Sequence, residues 1–95
     1  MVIDASLFRL REHVLYGLES EMRRFVIDIS EVSHLDSSGC GEVISVHTSI
    51  HRAKGALVFV NPTERVRVLW AHTRLVDVLN IFNTLDEARD FIRSV

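Results

Sequence analysis

The stretch Phe25-Val-Ile-Asp-Ile-Ser30, followed by Ser33-His-Leu-Asp-Ser-Ser-Gly-Cys-Gly41, decides how the rest of the chain is read. Phe25, Val26, Ile27 and Ile29 form a short β-branched and aromatic run that stops at a serine, the pattern of a buried strand. Beyond the second polar cluster, Val43, Val46, Ile50 and Ala53 recur at steps of three and four, which predicts a helix with one face on a core. A hydroxyl-rich turn therefore stands between a core strand and a core helix. Asp36, Ser37 and Ser38 are residue types that accept bonds from the free N–H groups of a helix start. The same helix end favours negative charge, so a phosphate group there would be tolerated.

Outward from this stretch, residues 5 to about 22 read as an amphipathic helix, with Leu7, Leu10, Val14 and Leu18 on one face and Gly17 as a close-packing point. Only Val2-Ile3 before it has strand character. The second helix is predicted over 39–53, closed by Lys54 as a last-turn cation and Gly55 at the C-terminal cap position. Ala56-Leu-Val-Phe-Val60 is a continuous apolar run, which predicts a strand covered on both faces. After the Asn61-Pro62 turn, Thr63 caps a third helix whose buried positions are Val66, Leu69 and Trp70. Val78 to Phe82 reads as a short strand that a helical turn can precede. Thr84 caps a last helix with Leu85, Ala88, Phe91 and Ile92 inward. This alternation implies crossover connections, hence an α/β fold with a small, mostly parallel sheet and about four helices.

Bulk properties narrow the function classes. Ninety-five residues suit one domain, 1–95, with a core that needs no staples. The 11 Lys and Arg against 13 Asp and Glu leave a formal charge of -2 with both signs interspersed, which offers no electrostatic footprint for nucleic acid. No apolar run approaches the roughly 20 residues that span a bilayer, so no direct membrane insertion is expected. A single cysteine, Cys40, with no signal peptide argues for a reducing cytoplasm.

The run Asp28-Ile-Ser-Glu-Val-Ser-His-Leu-Asp-Ser-Ser-Gly-Cys-Gly41 resembles the diagnostic segment of the STAS domain, the fold of bacterial anti-sigma factor antagonists and of sulfate-transporter cytoplasmic tails. Gly55 to Pro62, Arg65 to Leu75 and Ile81 to Ala88 resemble that family's later strand and turn, third helix, and final strand and helix start. The resemblance covers residues 4 to 93. It implies a regulatory module that binds an anti-sigma factor serine kinase, is switched off by phosphorylation and is restored by a phosphatase. The serine directly after the loop aspartate is the family's switch, which by position is Ser37. Asp36, Ser38 and Gly39 then shape the loop, and Cys40, Gly41 and His47 on the following helix meet the partner. The alternative is a non-switching STAS scaffold subunit of a transporter or stress-signalling complex.

Three departures from the family pattern stand out. Cys40 replaces the usual leucine, Arg74 replaces the usual glycine of Thr-Gly-Leu, and the family's N-terminal hairpin is absent or reduced to Val2-Ile3. A sheet lacking its first strands exposes an unpaired edge, and a homodimer or partner chain is the expected cover. No enzyme chemistry is expected. His47 and His51 stand four apart, as a metal pair would, but no third ligand motif completes a site. Ser37 sits in no Gly-x-Ser-x-Gly elbow, and no Gly-rich phosphate loop with lysine occurs. No cofactor is implied. Arg65, Arg67 and Arg74 read as a solvated basic face.

Overall fold

The computed structural model describes residues 2–4, 10–32 and 37–95, with residues 2–4, Ser37 and Ser38 described by backbone alone. Strands β1 (Val2–Asp4), β2 (Arg24–Asp28), β3 (Ala56–Val60) and β4 (Asn80–Phe82) form one sheet in the spatial order β1-β2-β3-β4. All three pairings are parallel, with Val2 opposite Val26, Val26 opposite Val58, and Val58 opposite Asn80. Helices α1 (Leu10–Glu19), α2 (Ser37–Arg52) and α3 (Glu64–His72) each connect one strand to the next, and α4 (Leu85–Arg93) follows β4. The N-terminal strand character is thus a three-residue parallel edge strand, and the described residues hold no antiparallel hairpin.

Consecutive parallel strands laid side by side, joined by crossovers of one hand, place every crossover helix on the same face. The packing follows that rule. Phe25, Ile27, Leu57 and Phe59 point to a large core with Leu10 and Val14 of α1, Val43, Val46 and Ile50 of α2, and Val66 and Trp70 of α3. Their neighbours Val26, Val58 and Val60 point the other way, onto Ala88 and Ile92 of α4. The period-two alternation of β3 is hidden in its sequence because both of its faces are apolar and both are covered. Trp70 is buried edge-on against Phe59, with ring centroids 5.3 Å apart at 71°. Leu69 is half-buried against the same core.

Helix ends explain where the expected boundaries shift. The first helix stops at Glu19 because Glu21 turns left-handed, with φ 65°, and the Met22 amide bonds back to the Gly17 carbonyl at 2.9 Å. Leu7 lies outside the described residues. The same motif closes α2, but the left-handed residue is Lys54, with φ 61°, and not the glycine beside it. Gly55 donates to Ile50 O at 2.8 Å, completing the motif. Gly55 is required for a different reason: a Cβ there would stand 2.5 Å from Arg23 O and 2.9 Å from Ile50 Cγ2. The reading of Gly55 as the conformational cap is therefore corrected to one of close backbone approach. Arg74 also takes the left-handed conformation, φ 63°, at the position where a glycine was the expected type. Thr63 and Thr84 cap α3 and α4 as expected, accepting bonds from Val66 N and Glu87 N. A 3-10 turn, Leu75–Asp77, precedes β4.

Candidate functional site

The carboxyl ends of parallel strands are where α/β folds gather functional loops, and here they hold the approach to the Ser-rich turn. Past β2 the ladder continues for one bond, Ile29 N to Val60 O at 3.0 Å. The chain then bends: Ser30 N donates to Asp28 Oδ1 at 2.9 Å and Val32 N to Ile29 O at 3.1 Å. Partial burial pushes the Asp28 carboxyl upward, but hydrogen bonds from the Ser30 backbone, the Ser30 side chain and the Asn61 side chain outweigh it and hold the carboxyl below its ordinary range. Val32 is buried, and its carbonyl accepts from the Thr63 hydroxyl at 3.2 Å. Asn61, left-handed at φ 57°, bonds through its own amide to Phe82 O at 3.1 Å. The entry to the loop is thus held by the β3–α3 turn, which is in turn held by β4.

Residues 33–36, including Asp36 of the expected switch loop, lie outside the described residues. The helix begins earlier than the predicted residue 39: Ser37 is already its first residue, and Ser38 and Gly39 complete the first turn. Because helix neighbours recur every three to four residues, positions 37, 41, 44 and 48 share one face. Val43, Val46 and Ile50 occupy the opposite face and are buried. On the first face Gly41 is exposed, with nothing within 4 Å of where a Cβ would be, and Ile44 is 47% exposed. Thr48 turns its hydroxyl back onto Ile44 O at 2.9 Å. The helix therefore presents a shallow, uncharged strip that starts at the Ser37 position.

Of the three helix positions expected to meet a partner, Gly41 alone lies on that strip. Cys40 is half-buried and packs against the large core. His47 is ten residues from Ser37, about 15 Å along the axis, and lines a cleft at the amino ends of β3 and β4 with His51. Their rings stack with centroids 6.3 Å apart at 15°. Burial, and secondarily the nearby His51, hold the His47 imidazole below its ordinary range. Among the described residues no group of three or more His, Cys, Asp or Glu side chains could hold a metal ion. The three arginines do not converge: Arg67 donates to Asn83 Oδ1, Arg74 reaches Asp77 at 3.8 Å with both side chains mostly exposed, and Arg65 is exposed.

Three features escaped the sequence reading. Asp28, noted in the sequence only as the start of the family-like segment, organises the turn that follows through Ser30 and Asn61. Glu42 of α2 accepts from the Arg11 amide at 3.2 Å, satisfying a free N–H at the start of α1. Ile44 was legible from its spacing, since it is seven residues, or two turns, after Ser37.

Comparison with known proteins sets this geometry beside others. The STAS domain family profile matches residues 3–88. A Thermotoga maritima protein named for an anti-sigma factor antagonist role is 26% identical over 76 residues, covering 80% of this chain and 67% of its own. Among solved structures, a Thermotoga maritima protein of the same designation superposes with a TM-score of 0.79 at 21% identity, over 96% of this chain and 80% of its own. The Bacillus cell fate determinant SpoIIAA, solved in its phosphorylated form, superposes with a TM-score of 0.67 at 19% identity, over 97% of this chain and 84% of its own.

Proposed function

The chain belongs to the STAS domain family, and from that premise we propose that it acts as an anti-sigma factor antagonist whose docking face is the exposed strip of α2. In this reading an anti-sigma factor with serine kinase activity docks on Gly41, Ile44 and Thr48, phosphorylates Ser37, and is released; a phosphatase restores the docking-competent form. The observation that carries the reading is the alignment of position 37 with exposed Gly41 and Ile44 on one face of α2. The naming of the relative at 26% identity supports it. So does the match to a protein of the same fold that exists in a phosphorylated form.

The physical logic is local. A phosphoserine brings about -1.5 to -2 charges to the first turn of a helix, where unpaired N–H groups and the positive end of the macrodipole favour it. The fold tolerates the modification while the uncharged strip beside it becomes strongly anionic. A partner that buried the strip would then have to desolvate that charge. Incubation with a cognate anti-sigma kinase and ATP is expected to add one phosphate by mass, and Ser37→Ala to abolish the addition; an unchanged mass in the wild-type chain would contradict the proposal.

The outer side of β1 pairs with no strand of the described residues, and we place a homodimer contact there. Sedimentation is expected to show a dimer, and a monomer at all concentrations would contradict the contact.

A further inference from the structure

The β3–α3 turn reaches across to the chain leaving β2 at two points. Thr63 donates its hydroxyl to Val32 O at 3.2 Å. The Asn61 side chain bonds to the Asp28 carboxylate, which also accepts from Ser30 N at 2.9 Å. The turn is itself fixed. Asn61 holds left-handed backbone at φ 57°, its amide bonds to Phe82 O at 3.1 Å, and the ring of Pro62 sets its own φ.

Capping α3 requires only an acceptor, and the Thr63 hydroxyl supplies one to Val66 N at 3.3 Å. Its hydrogen goes to Val32, a bond that α3 does not need. Val32 is buried, and five residues further on Ser37 opens α2, a helix fixed to the core by Val43, Val46 and Ile50. At most about 18 Å of chain joins the two positions. Both ends of that segment are held, one by α2 and the other by Thr63.

We infer that the β3–α3 turn sets the rate at which Ser37 is phosphorylated, with Thr63 as a positioning residue and Asn61 as its support. This rests on the proposed switch at Ser37. In that step the serine hydroxyl oxygen bonds to the γ-phosphorus of ATP, the bond to the β–γ bridging oxygen breaks, ADP leaves, and the hydroxyl proton passes to a base of the kinase. A short segment held at both ends has few conformations, so little ordering remains to be done when the kinase closes on the serine. Releasing the Val32 end leaves Gly41, Ile44 and Thr48 in place for docking but makes in-line geometry at Ser37 rarer. The turn therefore governs kcat, and the α2 strip governs affinity.

Steady-state phosphorylation of the full chain by its anti-sigma factor serine kinase, at saturating ATP, tests the assignment through kcat and KM for the chain. Thr63→Ser keeps both the donor and the acceptor. Thr63→Asp keeps only the acceptor, so α3 stays capped while the Val32 carbonyl loses its partner. Asn61→Gly keeps the left-handed backbone and removes the side chain from Asp28. We expect kcat to fall about tenfold in Thr63→Asp and by a smaller factor in Asn61→Gly, with KM within about twofold of wild type and Thr63→Ser close to wild type in both constants. A residue that only caps α3 would leave Thr63→Asp at the wild-type rate. An unchanged kcat in either Thr63→Asp or Asn61→Gly, or a change confined to KM, overturns the inference and leaves the switch standing. A wild-type chain that takes up no phosphate overturns both.

Discussion

The Thr63 hydroxyl donates to the Val32 carbonyl at 3.2 Å and at the same time accepts from the Val66 amide at 3.3 Å. One side chain therefore caps α3 and anchors the segment that leaves β2. Loss of an N-cap costs about 0.5–2 kcal/mol, and the Val32 carbonyl would lose its partner too. Thr63→Ala is expected to lower stability by about 1–2 kcal/mol in urea unfolding, with Thr63→Ser restoring most of it. If Thr63→Ala instead matched the wild-type midpoint, the anchoring role would be wrong.

Two strained positions make an opposite prediction. Lys54 and Arg74 hold left-handed backbone at φ 61° and 63°, a conformation that costs an L-residue roughly 1–2 kcal/mol. Glycine there gains that strain back but loses about 0.5–1 kcal/mol to unfolded-chain entropy. Arg74→Gly and Lys54→Gly should each raise stability by about 0.5–1 kcal/mol, read as a higher thermal midpoint. Gly55→Ala should do the reverse, because its Cβ meets the Arg23 carbonyl.

The pH profile has two limbs. The Asp28 carboxyl is held low in the folded chain, so its stabilisation is present above the unfolded value of about pH 4 and is lost as pH falls through the folded value. The gap in stability between wild type and Asp28→Asn should narrow on acidification below about pH 4. His47 is also held low, but as a base it resists the proton when folded. Wild-type stability is undiminished above about pH 6.5 and declines below it, as the unfolded chain takes up the proton first. His47→Gln should flatten that decline; an equal slope in both chains would contradict the assignment.

On the proposed docking strip, Ile44 is 47% exposed and makes no part of either core cluster. Ile44→Ala should therefore change stability by less than about 0.5 kcal/mol. In a buried interface the same truncation is expected to cost about 1–2 kcal/mol of binding, roughly 5- to 30-fold in affinity by calorimetry. Weaker binding with unchanged unfolding places Ile44 in the interface, whereas unchanged binding removes it.

Strand and helix order was legible because apolar periodicity and capping chemistry agree in this chain. Thr63 and Thr84 mark real caps, and Ala56 to Val60 is a strand to the residue. The misread points share a cause: local rules describe typical residues, and tertiary contact chose others. Lys54 takes the turn that Gly55 was expected to take, because Gly55 is held against Arg23 and Ile50. Residues 37 and 38, whose composition suggested caps, already lie inside α2. At the candidate site, Ser37 and Gly41 could be found from the motif. The Asp28 turn could not, because its partners Ser30 and Asn61 come from two separate loops. Nor did spacing show that His47 lies at the amino ends of β3 and β4, in the cleft with Gly55 and Asn80.

The most direct measurement is the affinity of the purified anti-sigma kinase for this chain before and after stoichiometric phosphorylation of Ser37, with Ser37→Ala as the unmodifiable control. The account predicts tight binding of the unmodified chain and of Ser37→Ala, with at least a tenfold loss, about 1.4 kcal/mol, on phosphorylation. Equal affinity of the modified and unmodified chains would contradict the switch and point to a scaffold that docks without one.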